Sequence, residues 1–231
     1  MGNKFIITID GPSGSGKSTT AKRIANELNI TYLDTGAMYR AVAYYAIEEG
    51  YENNFQKLIE NLDKINIDIQ YRDRKTIVHL NGKDITEEIR TLKVSNLVSP
   101  ISAIPEVRNF LLEKQRSIAQ NSSVILDGRD TGTVVFPDAD VKIYLIADID
   151  KRAERRLKEL QVAGHKANFE EVKNNLINRD LIDSNREIAP LKKAVDAIEV
   201  DTSNITIEQQ VSQILNIIRE KLERANNENK Y

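Results

Sequence analysis

The 231-residue chain contains no cysteine, which excludes disulfides and thiolate-bound zinc. It has no surplus of either charge, with 33 Lys+Arg against 35 Asp+Glu and a net charge of −2. Proteins dedicated to nucleic acid usually carry a basic excess, so no nucleic-acid partner is expected. No apolar run approaches the ~18 residues that span a bilayer. The first such run, Phe5 to Ile9, is only five residues long and too short for a secretory signal core. Gly2 is followed by Ile6 rather than the Ser or Thr of a myristoylation site. His79 and His165 are isolated and outline no metal site. No internal repeat or low-complexity linker is present. These absences predict a cytoplasmic protein with no membrane partner, and a monomer is the default.

What is present is a soluble α/β pattern, with 40% hydrophobic and 6% aromatic residues. Lys4 to Ile9 reads as a buried strand. Ala21, Ile24, Ala25 and Leu28 then follow at helical spacing. Ile30 to Asp34, Ser123 to Asp127, Val141 to Ala147 and Ala197 to Asp201 are further strand-like runs, and a helix is expected from Thr35 to Gly50. Between Ile65 and Ile85 the pattern becomes antiparallel, with Asn81-Gly82 as a hairpin signal. Val107 to Ala119 reads as a helix with Phe110, Leu111 and Ile118 turned inward. Thr206 and Gln209 have capping-box spacing before an amphipathic closing helix. Five strands alternating with helices predict a doubly wound parallel sheet, an α/β three-layer sandwich.

The first turn after the first strand carries chemistry. Gly11-Pro12-Ser13-Gly14-Ser15-Gly16-Lys17-Ser18 fits G-x-x-x-x-G-K-[ST] between a strand and a helix, the context a phosphate-binding loop requires. Its backbone N–H groups form an anion nest at the positive helix end. Lys17 is placed to neutralise β/γ-phosphate charge, and the Ser18 hydroxyl to ligate Mg²⁺. This predicts ATP-type nucleotide binding by Gly11 to Thr19, but switches, motors and small-molecule kinases all share the loop. A guanine-reading N-K-x-D is absent.

Arginines and carboxylates cluster at other element ends: Arg40 beside Tyr39, then Arg108, then Arg129 with Asp130. Asp127 to Asp130 follow a buried strand, where open α/β sheets bind ligands. Arg179, Asp183 and Arg186 are spaced to share one helical face. The segment Lys151 to Lys193 holds eleven Lys or Arg against seven Asp or Glu, a basic stretch on an acidic body that suits an anionic ligand.

The blocks IDGPSGSGKST, YLDTGAMYRA, ILDGRDTGTVVFPDA and RDLIDSNREIAPL together resemble bacterial-type cytidylate kinases, from about Phe5 to about Leu222. The Ile65–Ile85 segment is similar to the β-rich insertion of the family's long form. The resemblance implies transfer of the ATP γ-phosphoryl group to CMP or dCMP with Mg²⁺. It implies a core of residues 1–34, 100–150 and 194–231, a monophosphate-binding insertion at about 35–99 and a helical lid at about 151–193. Arg40, Arg129 and Arg186 then surround the acceptor phosphate, with Lys17, Arg129 and Arg186 as the catalytic group. Ser99, Arg108 and Asp130 read cytosine, and Arg179 and Asp183 contact the pentose. Thr35 and Tyr39 complete the CMP site, Thr35 standing where the family commonly has Ser. Asp127 holds Mg²⁺ through water alongside Ser18. Arg152, Arg155 and Arg156 are lid candidates for the ATP phosphates, with Arg156 included in the ATP site. A kinase for UMP or a small acid, and a nucleotide switch, are the alternatives; a switch has no use for a second phosphate clamp.

Overall fold

The computed structural model describes residues 4–72, 75–120, 122–162, 164 and 166–228, so His165 lies outside the described residues. The chain opens with β1 (Ile6–Asp10), α1 (Lys17–Leu28), β2 (Thr31–Asp34) and α2 (Thr35–Glu48). A short α3 (Phe55–Ile59) leads to β3 (Ile67–Arg72), β4 (Lys75–Leu80) and β5 (Lys83–Asp84), followed by α4 (Leu92–Ser102) and α5 (Pro105–Ala119). After these come β6 (Val124–Gly128), a π-helical turn at Thr131–Val135, and β7 (Val141–Ile146). Two helices, α6 (Ile149–Val162) and α7 (Phe169–Asn185), precede β8 (Ile198–Asp201) and the closing α8 (Ile207–Glu228). No helix among the described residues is long and apolar enough to cross a membrane.

The main sheet is five-stranded in the order β2-β6-β1-β7-β8, and every pairing in it is parallel. Buried Ile7 and Ile9 of β1, with Ile125, Ile143 and Val200, pack against Ala21, Ile24 and Ala25 of α1 and Ile214 and Ile218 of α8. The fully buried apolar runs belong to a parallel sheet covered on both faces. The expected α/β sandwich is therefore the observed one. The Thr206 and Gln209 capping box also forms, with reciprocal bonds of 2.9 and 3.2 Å.

The antiparallel sheet β3-β4-β5 contains the expected hairpin. Asn81 and Gly82 have φ of +51° and +82°, the left-handed pair a two-residue turn requires. Its apolar residues Ile67, Val78 and Leu80 join a core cluster with α2, α4 and α5. In α5, Leu111 is fully buried, whereas Phe110 and Ile118 pack only at the edge of that cluster. Helix α4 has no counterpart in the sequence reading and runs through the expected boundary at residues 99 and 100. Its propensity is masked by the β-branched residues and by Pro100 near its end, and burial of Val94, Val98 and Ile101 forms it.

The π-helical turn was also unforeseen. Thr-Gly-Thr-Val-Val has no helical signature. The Asp130 carbonyl accepts from the amides of Thr133, Val134 and Val135 at 3.3, 2.9 and 3.2 Å. The Asp10 carboxylate takes the Thr131 amide and hydroxyl at 2.9 and 2.8 Å and the Gly132 amide at 2.7 Å. A side chain 121 residues away thus fixes the turn.

Candidate active site

The loop from Gly11 to Gly16 leaves β1 at the carboxyl edge of the sheet and opens α1. Gly11 cannot carry a side chain, because a Cβ there would overlap the Leu145 carbonyl of the neighbouring strand. Gly16 caps α1 at φ +90° with no side-chain hydrogen bond, so the first-turn amides are left to an anion. Lys17 is buried, and its Nζ donates to the Pro12 carbonyl at 2.6 Å. Burial, reinforced by the Arg129 charge, holds its ammonium well below the usual lysine range. An incoming phosphate would reverse that penalty by supplying the opposite charge.

A cleft of about 610 Å³ lies over this edge. It is lined by Ser13, Gly14, Gly16, Lys17, Ser18 and Thr19 of the loop, and by Thr35, Tyr39, Arg40, Ser99, Asp127, Arg129, Asp130, Arg156, Arg179, Asp183 and Arg186. Most of the expected site thus converges from six separate elements. Gly11, Pro12, Ser15 and Arg108 do not line it. The Ser15 hydroxyl instead turns back to the Pro12 carbonyl at 3.0 Å, bracing the loop from within.

At the base, Asp127 accepts from the Ser18 hydroxyl at 2.7 Å and the Tyr32 hydroxyl at 2.6 Å. Burial, with Asp34 close by, pushes its carboxyl above the ordinary range. Ser18 and Asp127 offer hard oxygen donors side by side beneath the phosphate loop. Among the described residues no group of three or more His, Cys, Asp or Glu could hold a metal. This sparse donor set fits Mg²⁺, which keeps waters and shares substrate phosphates. The Thr35 hydroxyl, which lines the cleft, donates to the Asp127 carbonyl at 2.7 Å and so also ties β6 to α2.

The arginines across the cleft are built around two buried carboxylates, Asp130 and Asp183. Asp130 pairs with Arg108 and, at 3.2 Å, with Arg186. Arg108 sits behind the cleft, 5.5 Å from the Tyr39 ring and bonded to the Ser102 carbonyl at 3.0 Å. Burial pushes the Tyr39 phenol up to about 12. Asp183 accepts from Arg129 Nε at 2.8 Å, and Arg129 also donates to the Ser13 hydroxyl at 2.6 Å. That bond links Arg129 to the phosphate loop. Arg40 pairs with Asp34 at 3.1 Å. Arg179 has a buried Nε without a hydrogen-bond partner, and burial with the Arg129 charge pushes its guanidinium down to about 10. Guanidinium groups held this close repel one another and favour an anion between them.

The basic segment separates into distinct roles. Arg156 lines the cleft and pairs with Glu159 at 2.9 Å. Arg152 does not reach the cleft; it holds the Ser13 carbonyl at 3.1 Å and an ion pair with Asp180. Asp180 in turn accepts the Ser13 amide at 3.1 Å. Arg155 is bonded to Thr202 through its hydroxyl at 3.1 Å and through its carbonyl. In this arrangement Arg152 and Arg155 brace the loop and β8 rather than facing phosphate.

Several cleft residues escaped the sequence reading: Lys22, Arg90, Thr91, Ser95 and Ser102, with Tyr32 and Asp180 beneath. Lys22 follows Ser18 at i+4, so its helical face was legible. Tyr32 and Asp180 fall inside the blocks YLDTGAMYRA and RDLIDSNREIAPL, whereas the others lie on α4 and its approach, where no motif marks them.

A family model described as cytidylate kinase matches residues 7–220. A protein named cytidylate kinase from Clostridioides difficile is 50% identical over 218 residues, covering 94% of this chain and 99% of its own. Another so named, from Carboxydothermus hydrogenoformans, is 48% identical over 219 residues, covering 93% and 97%. Among solved structures, an uncharacterized protein from Eubacterium ventriosum superposes with a TM-score of 0.54 at 14% identity, covering 94% and 99%; it shares the fold.

Proposed function

The chain belongs to the cytidylate kinase family, and from that premise we propose that it moves the γ-phosphoryl group of ATP onto the 5′-phosphate of CMP or dCMP. The observation that carries this reading is the pairing of two anion sites in one cleft. The phosphate loop stands on one side, and Arg40, Arg129, Arg179 and Arg186 stand on the other. A nucleotide switch needs only the first.

Lys17 and the free amides of α1 hold the donor phosphates, with Arg156 added from α6. Arg40, Arg129 and Arg186 hold the acceptor phosphate, so two anions can approach in line despite their repulsion. Arg129 bridges the two sites through Ser13 and Asp183. Ser99 and Asp130 read cytosine, because a carboxylate accepts from the N4 amine; Arg108 stands behind Asp130 and would donate to O2 and N3 only by turning into the cleft. Arg179 and Asp183 face the pentose. Ser18 and Asp127 would hold Mg²⁺, which when bound with ATP neutralises charge on the β- and γ-phosphates. The residues near 35–99 act as an acceptor-binding insertion, and α6 and α7 as a lid that excludes water from the transfer. The substrates are free nucleotides of pyrimidine metabolism, and the cytoplasm is the proposed setting, with a monomer as the working unit and no nucleic-acid or membrane partner.

The test is ADP formation from ATP and Mg²⁺ with CMP, dCMP, UMP and AMP in parallel. CMP and dCMP should turn over well above UMP and AMP. No ADP above background with CMP refutes the reading.

A further inference from the structure

We propose that Arg90, assisted by Lys22, is a phosphate-binding residue of the acceptor site, added to the arginines already placed there. The inference rests on the CMP kinase reading and extends it to one further residue. Both side chains line the cleft, yet neither has an ion-pair or hydrogen-bond partner among the described residues, unlike Arg40, Arg129, Arg156 and Arg186.

The backbone beneath Arg90 is firmly held. Ile89, its neighbour, is fully buried in the core cluster of α2 and α4. Thr91 caps α4, and the Arg90 amide donates to the Glu87 carbonyl at 3.0 Å. An exposed guanidinium on a rigid base meets a ligand with little loss of backbone freedom. Glu87 also lines the cleft, but it forms no ion pair with Arg90 three residues on. Lys22 stands on α1, one turn past Ser18, with its amine 5.6 Å from the centre of the Tyr32 ring. Burial pushes the Lys22 amine down; Asp34 opposes that shift, while Arg90 and Arg40 add to it. Lys22, Arg40 and Arg90 therefore line one cleft close enough to act on one another's charge, and Arg40 holds Asp34 at 3.1 Å among them. A dianionic monophosphate is the ligand that relieves three such cations at once.

The experiment is calorimetric binding of CMP and of cytidine to the full chain and to Arg90→Ala and Arg90→Lys, with the KM for CMP and for ATP measured alongside. Arg90→Ala should weaken CMP about tenfold or more while leaving cytidine and the KM for ATP unchanged, and Arg90→Lys should recover part of the loss. Equal weakening of CMP and cytidine, a rise confined to the ATP KM, or no change overturns the proposal. Binding needs no turnover, so failure of the kinase reading shows separately, as an inactive parent chain.

Discussion

Asp130 and Arg186 are joined at 3.2 Å in the buried floor of the cleft, with Arg108 on the other oxygen of the same carboxylate. The group proposed to read the base is thereby the counter-ion of a group proposed to hold the phosphate, and on that proposal base recognition and phosphate positioning are coupled through one side chain.

Asp130→Asn should therefore do two things. It should lower kcat/KM for CMP more than for UMP, because the amide no longer gives the cytosine amine an acceptor-only partner. It should also lower thermal stability, since two buried guanidiniums lose their shared anion, a loss of about 3–5 kcal/mol for such pairs. Steady-state kinetics on both nucleotides and thermal denaturation check this. Equal loss for CMP and UMP would remove Asp130 from base reading.

Asp127→Asn should raise the Mg²⁺ concentration needed for half-maximal rate while leaving CMP binding in the absence of metal intact. The same change keeps partners for the Ser18 and Tyr32 hydroxyls, so the fold should survive. Titrating activity against Mg²⁺ and measuring CMP affinity with chelator present tests it. An unchanged Mg²⁺ requirement refutes the assignment.

Two arginines one turn apart on α6 should behave oppositely. Arg152 is buried, and its pair with Asp180 secures the Ser13 loop, so Arg152→Ala should destabilise the protein by about 3–5 kcal/mol. Arg156 sits in a partly exposed pair with Glu159, worth at most about 1 kcal/mol. Arg156→Ala should leave the melting temperature nearly unchanged and raise the KM for ATP. Denaturant unfolding with ATP kinetics separates the two effects.

Burial pushes the Asp10 carboxyl up to about 6, against 3.8 when unfolded. The folded state therefore binds this proton more tightly. The group's contribution to stability is fully present below the unfolded pKa and declines as pH rises through the folded value. The stability difference between the parent and Asp10→Asn should shift against the parent by on the order of 2–3 kcal/mol between pH 4 and pH 7. Parallel denaturation curves across that range check it; a pH-independent difference contradicts it.

Much of the site was readable in the chain because its residues lie in local patterns. The loop from Gly11 to Ser18 is contiguous, and Arg179 and Asp183 lie one turn apart on α7, whereas Arg186, spaced to join them, stands just past the helix in extended backbone. Asp127 to Asp130 follow an apolar strand whose end can be located. The hairpin at Asn81-Gly82 was legible for the same reason, since left-handed backbone needs particular residues. Arg90 carried no such mark, Lys22 was marked only by its place one turn after Ser18, and α4 was hidden by its β-branched composition.

The sequence alone determined the phosphate loop, the five-stranded parallel sheet and the set of arginines available to bind anions. These follow from short-range stereochemistry and hydrophobic period, which act within a few residues. Only the tertiary structure decided which charges are spoken for. Arg152 and Arg155 are committed to the loop and to β8, Arg108 stands behind the cleft, and the Thr35 hydroxyl is taken by the Asp127 carbonyl. Arg90 and Lys22, like Arg179, reach the cleft without an ion pair among the described residues. A charge's role depends on what burial removes from around it and what partner remains. Those partners lie tens to more than a hundred residues away, as Asp10 does from Thr131, so only folding brings them together.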